Sequence, residues 1–360
     1  MNIKVGILGA TGSVGQRLIQ LLENHPWFEI VHVAASPRSA GKTFEEAVAG
    51  RWLMPTDIPD KVKNLKVKEV SKIEQVKDEC KLIFSAVSMA KDKIKEIEIA
   101  YAEKGFAVVS NNSAHRHTEN VPVLIPEVNP EHSKIIRHQR QEHGWDRGFI
   151  AVKPNCSVQS YVTPVYALME KGYKIDEMII TTLQAVSGAG YPGVPSQDMI
   201  DNVVPFIGDE EKKSEIEPQK IFGNIKAGAF VYDDSIKISA HCNRVPVMDG
   251  HTACVSMNFK GDKPERDEIL EIWQNFRGEP QELELPMAPE QPIIYLNEND
   301  RPQPRKDRNR DKGMAVTVGR LRECNVFDYR FVGLSHNTIR GAAGGGILNA
   351  EFLVKKGFVK

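Results

Sequence analysis

The segment that most constrains this fold is Ile3-Lys4-Val5-Gly6-Ile7-Leu8 running into Gly9-Ala10-Thr11-Gly12-Ser13-Val14-Gly15, with a helical pattern over Gln16 to Asn24. An apolar strand that meets a glycine turn and reverses into a helix is the opening unit of a parallel α/β sheet. Gly9 permits the tight turn, Gly12 lets backbone approach a pyrophosphate, and Gly15 lets the helix pack closely on the sheet. Bound phosphates would then meet the helix N-terminus. The spacing is G-x-x-G-x-x-G. Its position directly after the first strand, more than the glycines alone, points to dinucleotide binding.

The alternation of strand and helix continues downstream. Glu29 to Ala35 reads as a second strand, Lys81 to Val87, Ala107 to Ser110 and Gly148 to Val152 as further buried strands, and Lys91 to Lys104 as a charged helix. Strands alternating with helices imply a parallel sheet with right-handed crossovers. After the second strand, Ser36-Pro37-Arg38-Ser39 carries no acidic residue for ribose hydroxyls. Ser36, Arg38 and Ser39 offer hydroxyls and a guanidinium instead, groups suited to a 2′-phosphate and hence to NADP, although they are also ordinary turn residues. Asn111-Asn112-Ser113-Ala114-His115-Arg116 lies at the carboxyl end of the sheet, where such folds bind ligands, and makes Arg116 a candidate anion clamp.

At 360 residues, two domains are the natural expectation, and 41% hydrophobic with 26% charged residues is the composition of a globular chain. A formal net charge of -1 gives no general reason to expect a nucleic-acid or anionic-membrane partner. Five irregularly spaced cysteines suit a reducing compartment, so a cytoplasmic location is expected. No stretch approaches the length of a membrane span, and no metal-ligand cluster is evident.

One cysteine has unusual company. Lys153-Pro154-Asn155-Cys156-Ser157-Val158-Gln159 separates the strand ending at Val152 from an apolar-periodic helix expected over Val158 to Lys171. That arrangement puts Cys156 next to a helix N-terminus, where the dipole favours thiolate, and marks it as a candidate nucleophile. A buried, inert thiol is the plain alternative for any single cysteine.

Beyond it, Met178 to Val186 alternates as a strand and reaches Gln184 and the loop Ser187-Gly188-Ala189-Gly190. Lys212 to Lys220 is a charged run, which by composition alone is a solvated face even though it contains Glu217 and Lys220. Ile236 to Val247 and His251 to Phe259 are β-rich runs around Asp249-Gly250, the signature of an antiparallel hairpin that would bring Arg244 and His251 to one cleft. Asn297 to Gly313, rich in Pro, Asp, Arg and Asn, reads as a long exposed loop or a subunit contact. Met314 to Arg320 and Tyr329 to Leu334 read as strands, and Asn337 to Leu353 as a helix with a glycine-rich start.

Taken together, the glycine turn, Pro154-Asn155-Cys156-Ser157, Gln184 with its Ser-Gly-Ala-Gly, and Arg244 seven residues before His251 resemble aspartate-semialdehyde dehydrogenases, most closely the archaeal and fungal branch. The resemblance runs along nearly the whole chain. It implies an α/β N-terminal Rossmann-type dinucleotide-binding domain over residues 1–152, completed by a C-terminal helix over 336–360. An α+β catalytic and dimerisation domain with a mixed or antiparallel sheet would fill residues 153–335.

It also implies NADPH-dependent reductive dephosphorylation of aspartyl phosphate, on the route to lysine, threonine and methionine, in a homodimer or homotetramer. Cys156 would carry the thioester, His251 would be the general acid/base, and Gln184 would orient the intermediate. Arg244 would bind the α-carboxylate, Glu217 the amino group, and Arg116, Lys220 and Asn112 the phosphate. NADP(H) would lie on Gly9, Thr11, Gly12, Ser13 and Val14, with Ser36, Arg38 and Ser39 at its ribose. Ser85, Ser187, Gly188 and Asn337 would complete its site. Where the family often has threonine after the nucleophile, Ser157 keeps the hydroxyl. Competing expectations are malonyl-CoA reduction by the same thioester chemistry, in which Glu217 would have no amino group to meet, and a non-catalytic NADP-binding sensor.

Overall fold

A computed structural model describes residues 2–76 and 79–359. Strands β1 (Ile3–Leu8), β2 (Phe28–Ala35), β3 (Lys68–Glu69), β4 (Cys80–Ser85), β5 (Ala107–Ser110) and β6 (Phe149–Val152) form one sheet in the order β3-β2-β1-β4-β5-β6. Every neighbouring pair is parallel. Because helices cover both faces, β5 and β6 are buried at every residue and read as unbroken apolar runs.

The order reverses between β1 and β4, and a ligand crevice opens above the carboxyl ends of strands at such a switch point. The glycine turn lies there. Gly9 has φ +76°, and a Cβ on it would come within 2.4 Å of Ala86 O. A Cβ on Gly15 would lie 2.3 Å from Gly9 O, so the helix Ser13–Leu22 touches the turn through bare backbone.

The second sheet is mixed. It contains β7 (Ile175–Gln184), β10 (Lys237–Arg244), β11 (His251–Phe259), β12 (Ile293–Leu296), β13 (Val316–Glu323) and β14 (Tyr329–Ser335), in the order β10-β7-β11-β14-β13-β12. A small hairpin, β8 (Asn224–Lys226) with β9 (Ala229–Val231), stands apart. The hairpin expected around Asp249-Gly250 is not formed. β7 lies between the two runs, parallel to β10 and antiparallel to β11. Residues 245–250, with Pro246 among them, make a connection long enough to step across the end of β7, so the tight-turn reading of Asp-Gly does not apply. This crossing is what gathers the site. Gln184 pairs with Arg244, Leu183 with Thr252, and His251 follows at the same end of β7.

Other expectations are revised. The helix after Cys156 is broken: a single 3₁₀ turn, Val158–Ser160, precedes Tyr161 at φ -139°, and the α-helix runs over Val162–Glu170. The Asn297–Gly313 region is not simply an exposed loop. Asp307 is buried there and accepts from the Arg301 and Arg310 guanidinium groups and the Gln303 N–H. At the C-terminus a π-turn, Ile339–Ala343, leads into the helix Gly344–Lys355, whose Ile347 and Phe352 share a core with Val5, Ile7 and Phe84 of the first sheet. Among the described residues no helix is long and apolar enough to cross a membrane, and no cluster is placed to hold a metal.

Candidate active site

Cys156 occupies the turn after β6, with its Sγ 3.3 Å from His251 Nε2. The backbone N–H of Ala185 donates to His251 Nδ1 at 3.0 Å. A neutral imidazole has one proton and one lone pair on its two nitrogens, so this bond places the proton on Nε2, facing the sulfur. Close backbone approach makes room for the pair. A Cβ on Gly341 would lie 2.9 Å from Cys156 Cβ, and one on Gly188 would lie 2.9 Å from Arg244 Nη1 and 3.2 Å from His251 Nε2.

The helix Glu210–Ile221 organises the polar surroundings, and this is where the solvated-face reading fails. Glu210, Ser214 and Glu217 are buried on one stripe at helical spacing. Glu217 Oε2 accepts the Asn155 N–H at 2.6 Å, and Glu210 Oε1 accepts Asn155 Nδ2 at 3.0 Å. Asn155 Oδ1 in turn accepts from Ser157 N (2.8 Å) and Ser157 Oγ (2.6 Å). The residue before the cysteine is therefore clamped by two carboxylates and itself fixes the residue after it. Gln184 Nε2 donates to Glu210 Oε2 at 3.2 Å and Thr182 Oγ1 at 3.3 Å, which leaves its carbonyl oxygen as the free polar atom. Arg244 is held by Nη1 on Ala185 O at 2.8 Å.

The electrostatics differ from the helix-dipole expectation. The α-helix begins at Val162, well beyond Cys156, and burial pushes the thiol up to about 11. Glu210 adds to that rise, while Lys153, Arg116 and Arg244 oppose it. Burial, with help from Arg244, His336 and Lys153, pulls His251 down to about 3. Burial thus favours the thiol and the neutral imidazole over the charged pair.

The residues expected around phosphate are close together but already bonded. Arg116 donates through Nη1 to Glu217 Oε1 at 2.8 Å and through Nε to Lys153 O at 3.1 Å. Lys220 Nζ donates to the carbonyls of Arg116, Thr118 and Val121 at 2.9, 2.8 and 2.9 Å. Asn112 Nδ2 turns inward to Ser85 Oγ (3.1 Å) and Glu98 Oε1 (3.0 Å).

On the cofactor side, Gly12 caps the helix Ser13–Leu22 beside open space, since a Cβ there would meet only Gly9 O at 3.4 Å. Thr11, Ser13 and Val14 belong to the same turn, and its geometry fits a pyrophosphate. Ser36 and Arg38 are exposed, whereas Ser39 is buried and receives Arg51 Nη2 at 3.4 Å. Ser85 is buried beneath Asn112. Asn337 Nδ2 donates to Ser187 Oγ at 2.8 Å while its Oδ1 accepts the Gly250 N–H at 2.8 Å, joining three segments beside His251.

Sequence reasoning missed Glu210, Lys153 and Arg51. Glu210 had a legible signal, because Glu210, Ser214, Glu217 and Ile221 recur at helical spacing across the charged run and just beyond its two ends. Lys153 is buried, its Nζ bonded to Pro154 O at 2.6 Å, and burial with the neighbouring Arg116 lowers it to about 7. Nothing in the local pattern announces that, nor the approach of Arg51 to a residue twelve positions away.

Comparison with known proteins bears on the whole arrangement. Residues 4–136 match the semialdehyde dehydrogenase NAD-binding domain, and residues 165–340 the semialdehyde dehydrogenase dimerisation domain. The chain is 45% identical to aspartate-semialdehyde dehydrogenase of Schizosaccharomyces pombe, over 99% of each chain. It is also 45% identical to that of Methanothermobacter thermautotrophicus, over 98% of this chain and 99% of the relative. The crystal structure of aspartate semialdehyde dehydrogenase with NADP from Candida albicans superposes with a TM-score of 0.90 at 42% identity, covering 99% of this chain and 100% of that one. A fold of a parallel dinucleotide-type sheet joined to a mixed sheet, with cysteine and histidine meeting between them, and matches of this length to fungal and archaeal relatives lead to one assignment: the chain belongs to the aspartate-semialdehyde dehydrogenase family.

Proposed function

We propose that this protein is an NADP-dependent aspartate-semialdehyde dehydrogenase, which converts L-4-aspartyl phosphate to L-aspartate 4-semialdehyde with release of phosphate. The observation that carries the reading is Cys156 Sγ at 3.3 Å from His251 Nε2, at the ends of the paired strands β7 and β10 that present Gln184 and Arg244. Cys156, once deprotonated, attacks the acyl carbon; phosphate leaves with the electron pair of the C–O bond and a thioester remains on sulfur. When bound, NADPH supplies the hydride that reduces this thioester. Collapse of the resulting alkoxide regenerates the C=O bond and returns the sulfur as thiolate.

His251 serves both stages from Nε2: as Nε2–H it donates to the sulfur or to the oxygen that bears negative charge, and in the other tautomer, with the Ala185 contact to Nδ1 given up, its Nε2 lone pair takes the thiol proton or, in the reverse direction, the hydroxyl proton of the thiohemiacetal. Arg244 suits the α-carboxylate, Glu217 the α-ammonium, and Arg116 the departing phosphate, each by charge. Gln184 presents its carbonyl toward the intermediate. Lys153 and Arg116 add positive charge that opposes the desolvation of the thiolate.

Around that chemistry we place a cofactor-binding unit of residues 1–152 with 336–360 and a catalytic unit of 153–335. NADP is held by the Gly9–Val14 turn, with Ser36, Arg38 and Ser39 at the 2′-phosphate and Ser85, Ser187, Gly188 and Asn337 nearer the nicotinamide. The outer face of the second sheet, where Ile179, Leu183 and Cys254 are exposed, suits a second copy and supports a homodimer. Unpaired cysteines support a reducing, cytoplasmic setting.

The test is NADPH formation from aspartate semialdehyde plus phosphate, run beside NADPH oxidation by malonyl-CoA, with wild type and Cys156→Ala. Phosphate-dependent turnover that vanishes in the variant is expected. Turnover of malonyl-CoA alone overturns the substrate assignment, and turnover of neither identifies a sensor.

A further inference from the structure

We infer that Arg51 is a second guanidinium for the 2′-phosphate of NADP, held between the glycine turn and the turn after β2. The inference deepens the cofactor reading above and rests on NADP lying along the Gly9–Val14 turn. Two anchors place the residue. Its backbone is tied to the glycine turn through Gln16, a side chain 1% exposed whose amide is fully used. Gln16 Nε2 donates to Thr11 O at 3.0 Å and to Arg51 O at 2.9 Å, and its Oε1 accepts the Leu53 N–H at 2.7 Å. The guanidinium reaches the other turn, where Nη2 meets Ser39 Oγ at 3.4 Å. Arg51 therefore spans the gap between the turn that suits a pyrophosphate and the turn that follows β2, and the adenosine ribose of a dinucleotide lies between two such turns.

The fork is aimed and only half occupied. Nε and Nη2 both donate to Ala47 O, at 3.1 and 2.7 Å, at the C-terminal end of the short helix Phe44–Val48. That contact consumes one edge of the guanidinium and fixes its plane. Nη1 has no partner among the described residues and Arg51 is exposed, so two N–H donors and the positive charge are open to an anion. Lysine, with one nitrogen at its tip, could not cap Ala47 O and serve a ligand from a second nitrogen. Arg38 differs, being exposed and without a side-chain hydrogen bond among the described residues. A phosphate monoester carries close to two negative charges at neutral pH, more than one guanidinium offsets. Arg38 loses rotamer freedom when it engages that group, whereas Arg51 has already lost much of it on folding. The 2′-phosphate site thus joins a free cation to a pinned one.

The test is equilibrium binding of NADPH and of NADH to wild type and to Arg51→Ala, followed by nicotinamide fluorescence. NADH lacks the 2′-phosphate, so the ratio of the two affinities isolates that contact. Arg51→Ala is expected to weaken NADPH binding about tenfold and NADH binding by less than about twofold. Equal loss for both, or lower thermal stability with the ratio unchanged, overturns the inference and leaves Arg51 as a helix cap only. Wild type that binds the two cofactors equally removes the 2′-phosphate site itself, and with it both this inference and the NADP reading. Wild type that prefers NADPH, with the ratio unaltered in Arg51→Ala, removes Arg51 alone. Should Arg51→Ala fail to fold, a crystal structure of wild type with adenosine 2′,5′-bisphosphate decides the matter. Nη1 within hydrogen-bond distance of the 2′-phosphate supports the assignment, and Nη1 left in solvent refutes it. None of these outcomes depends on turnover of aspartate semialdehyde.

Discussion

The two ends of the proposed cleft are built on opposite plans. Around Cys156, Asn155, Glu217, Arg116 and Lys220 are buried and tied together, the Glu217 carboxylate accepting from the Arg116 guanidinium and the Asn155 backbone N–H and Lys220 donating to the Arg116 carbonyl, before any substrate arrives. At the ribose end, Ser36 and Arg38 are exposed on a turn after β2. A buried polar network is stable only when complete, because each missing partner leaves a group both desolvated and unpaired. An exposed turn has water as its alternative partner. The substrate end therefore couples catalysis to folding, and the ribose end separates affinity from stability.

The largest effect expected at the substrate end is loss of the nucleophile. Cys156→Ala should reduce phosphate-dependent NADPH formation by on the order of 10⁴–10⁶, while thermal unfolding changes little. Residual turnover near the wild-type level would remove Cys156 from the chemistry. His251→Ala should lower kcat by roughly 10²–10⁴ with little change in KM for NADP. A rise in KM for NADP at unchanged kcat would instead give His251 a binding role.

Glu217→Ala sharpens the contrast directly. It leaves the Arg116 guanidinium buried without its carboxylate and Asn155 N–H without an acceptor. A loss of about 3–5 kcal/mol in denaturant unfolding is expected. A change near zero would mean that water already serves those groups, and that the substrate end is no more rigid than the ribose end.

The thiol offers a pH test. Its value is raised to about 11, so the reactive thiolate is the minor form at neutral pH and grows as pH rises. Alkylation of the unliganded protein by iodoacetamide should therefore accelerate by about tenfold per pH unit from 7 to 10. A plateau below pH 8 would reveal a thiolate and imidazolium pair in place of the neutral one.

The smallest effect belongs to the exposed end. Arg38→Ala should weaken NADPH binding by about tenfold, leave NADH binding nearly unchanged, and shift unfolding by less than about 0.5 kcal/mol. Equal loss for both cofactors would refute the 2′-phosphate role.

Much of the first sheet was legible because its signals are local. An apolar run such as Ala107–Ser110 is buried on both faces, and Gly9 with φ +76° marks a bend open to few other residues. The cysteine turn was legible as a pattern too. What local pattern misjudged was charge. The run from Lys212 to Lys220 looks like solvated surface until the helix Glu210–Ile221 packs its Glu210, Ser214 and Glu217 stripe against the turn at Asn155. The Asp249-Gly250 signal was misjudged for a related reason: a dipeptide reports a turn but not which strands flank it, and β7 takes the middle place.

For Cys156, the sequence by itself determined that a cysteine sits between a buried strand and a helical segment, with a glycine turn for a dinucleotide far upstream, since strand periodicity and glycine conformation are properties of a few neighbouring residues. Only the tertiary structure decided that its sulfur lies 3.3 Å from His251, that burial favours the protonated thiol, and that Lys220 faces three carbonyls. Those depend on desolvation and on contacts between residues about a hundred positions apart, and no local pattern encodes either.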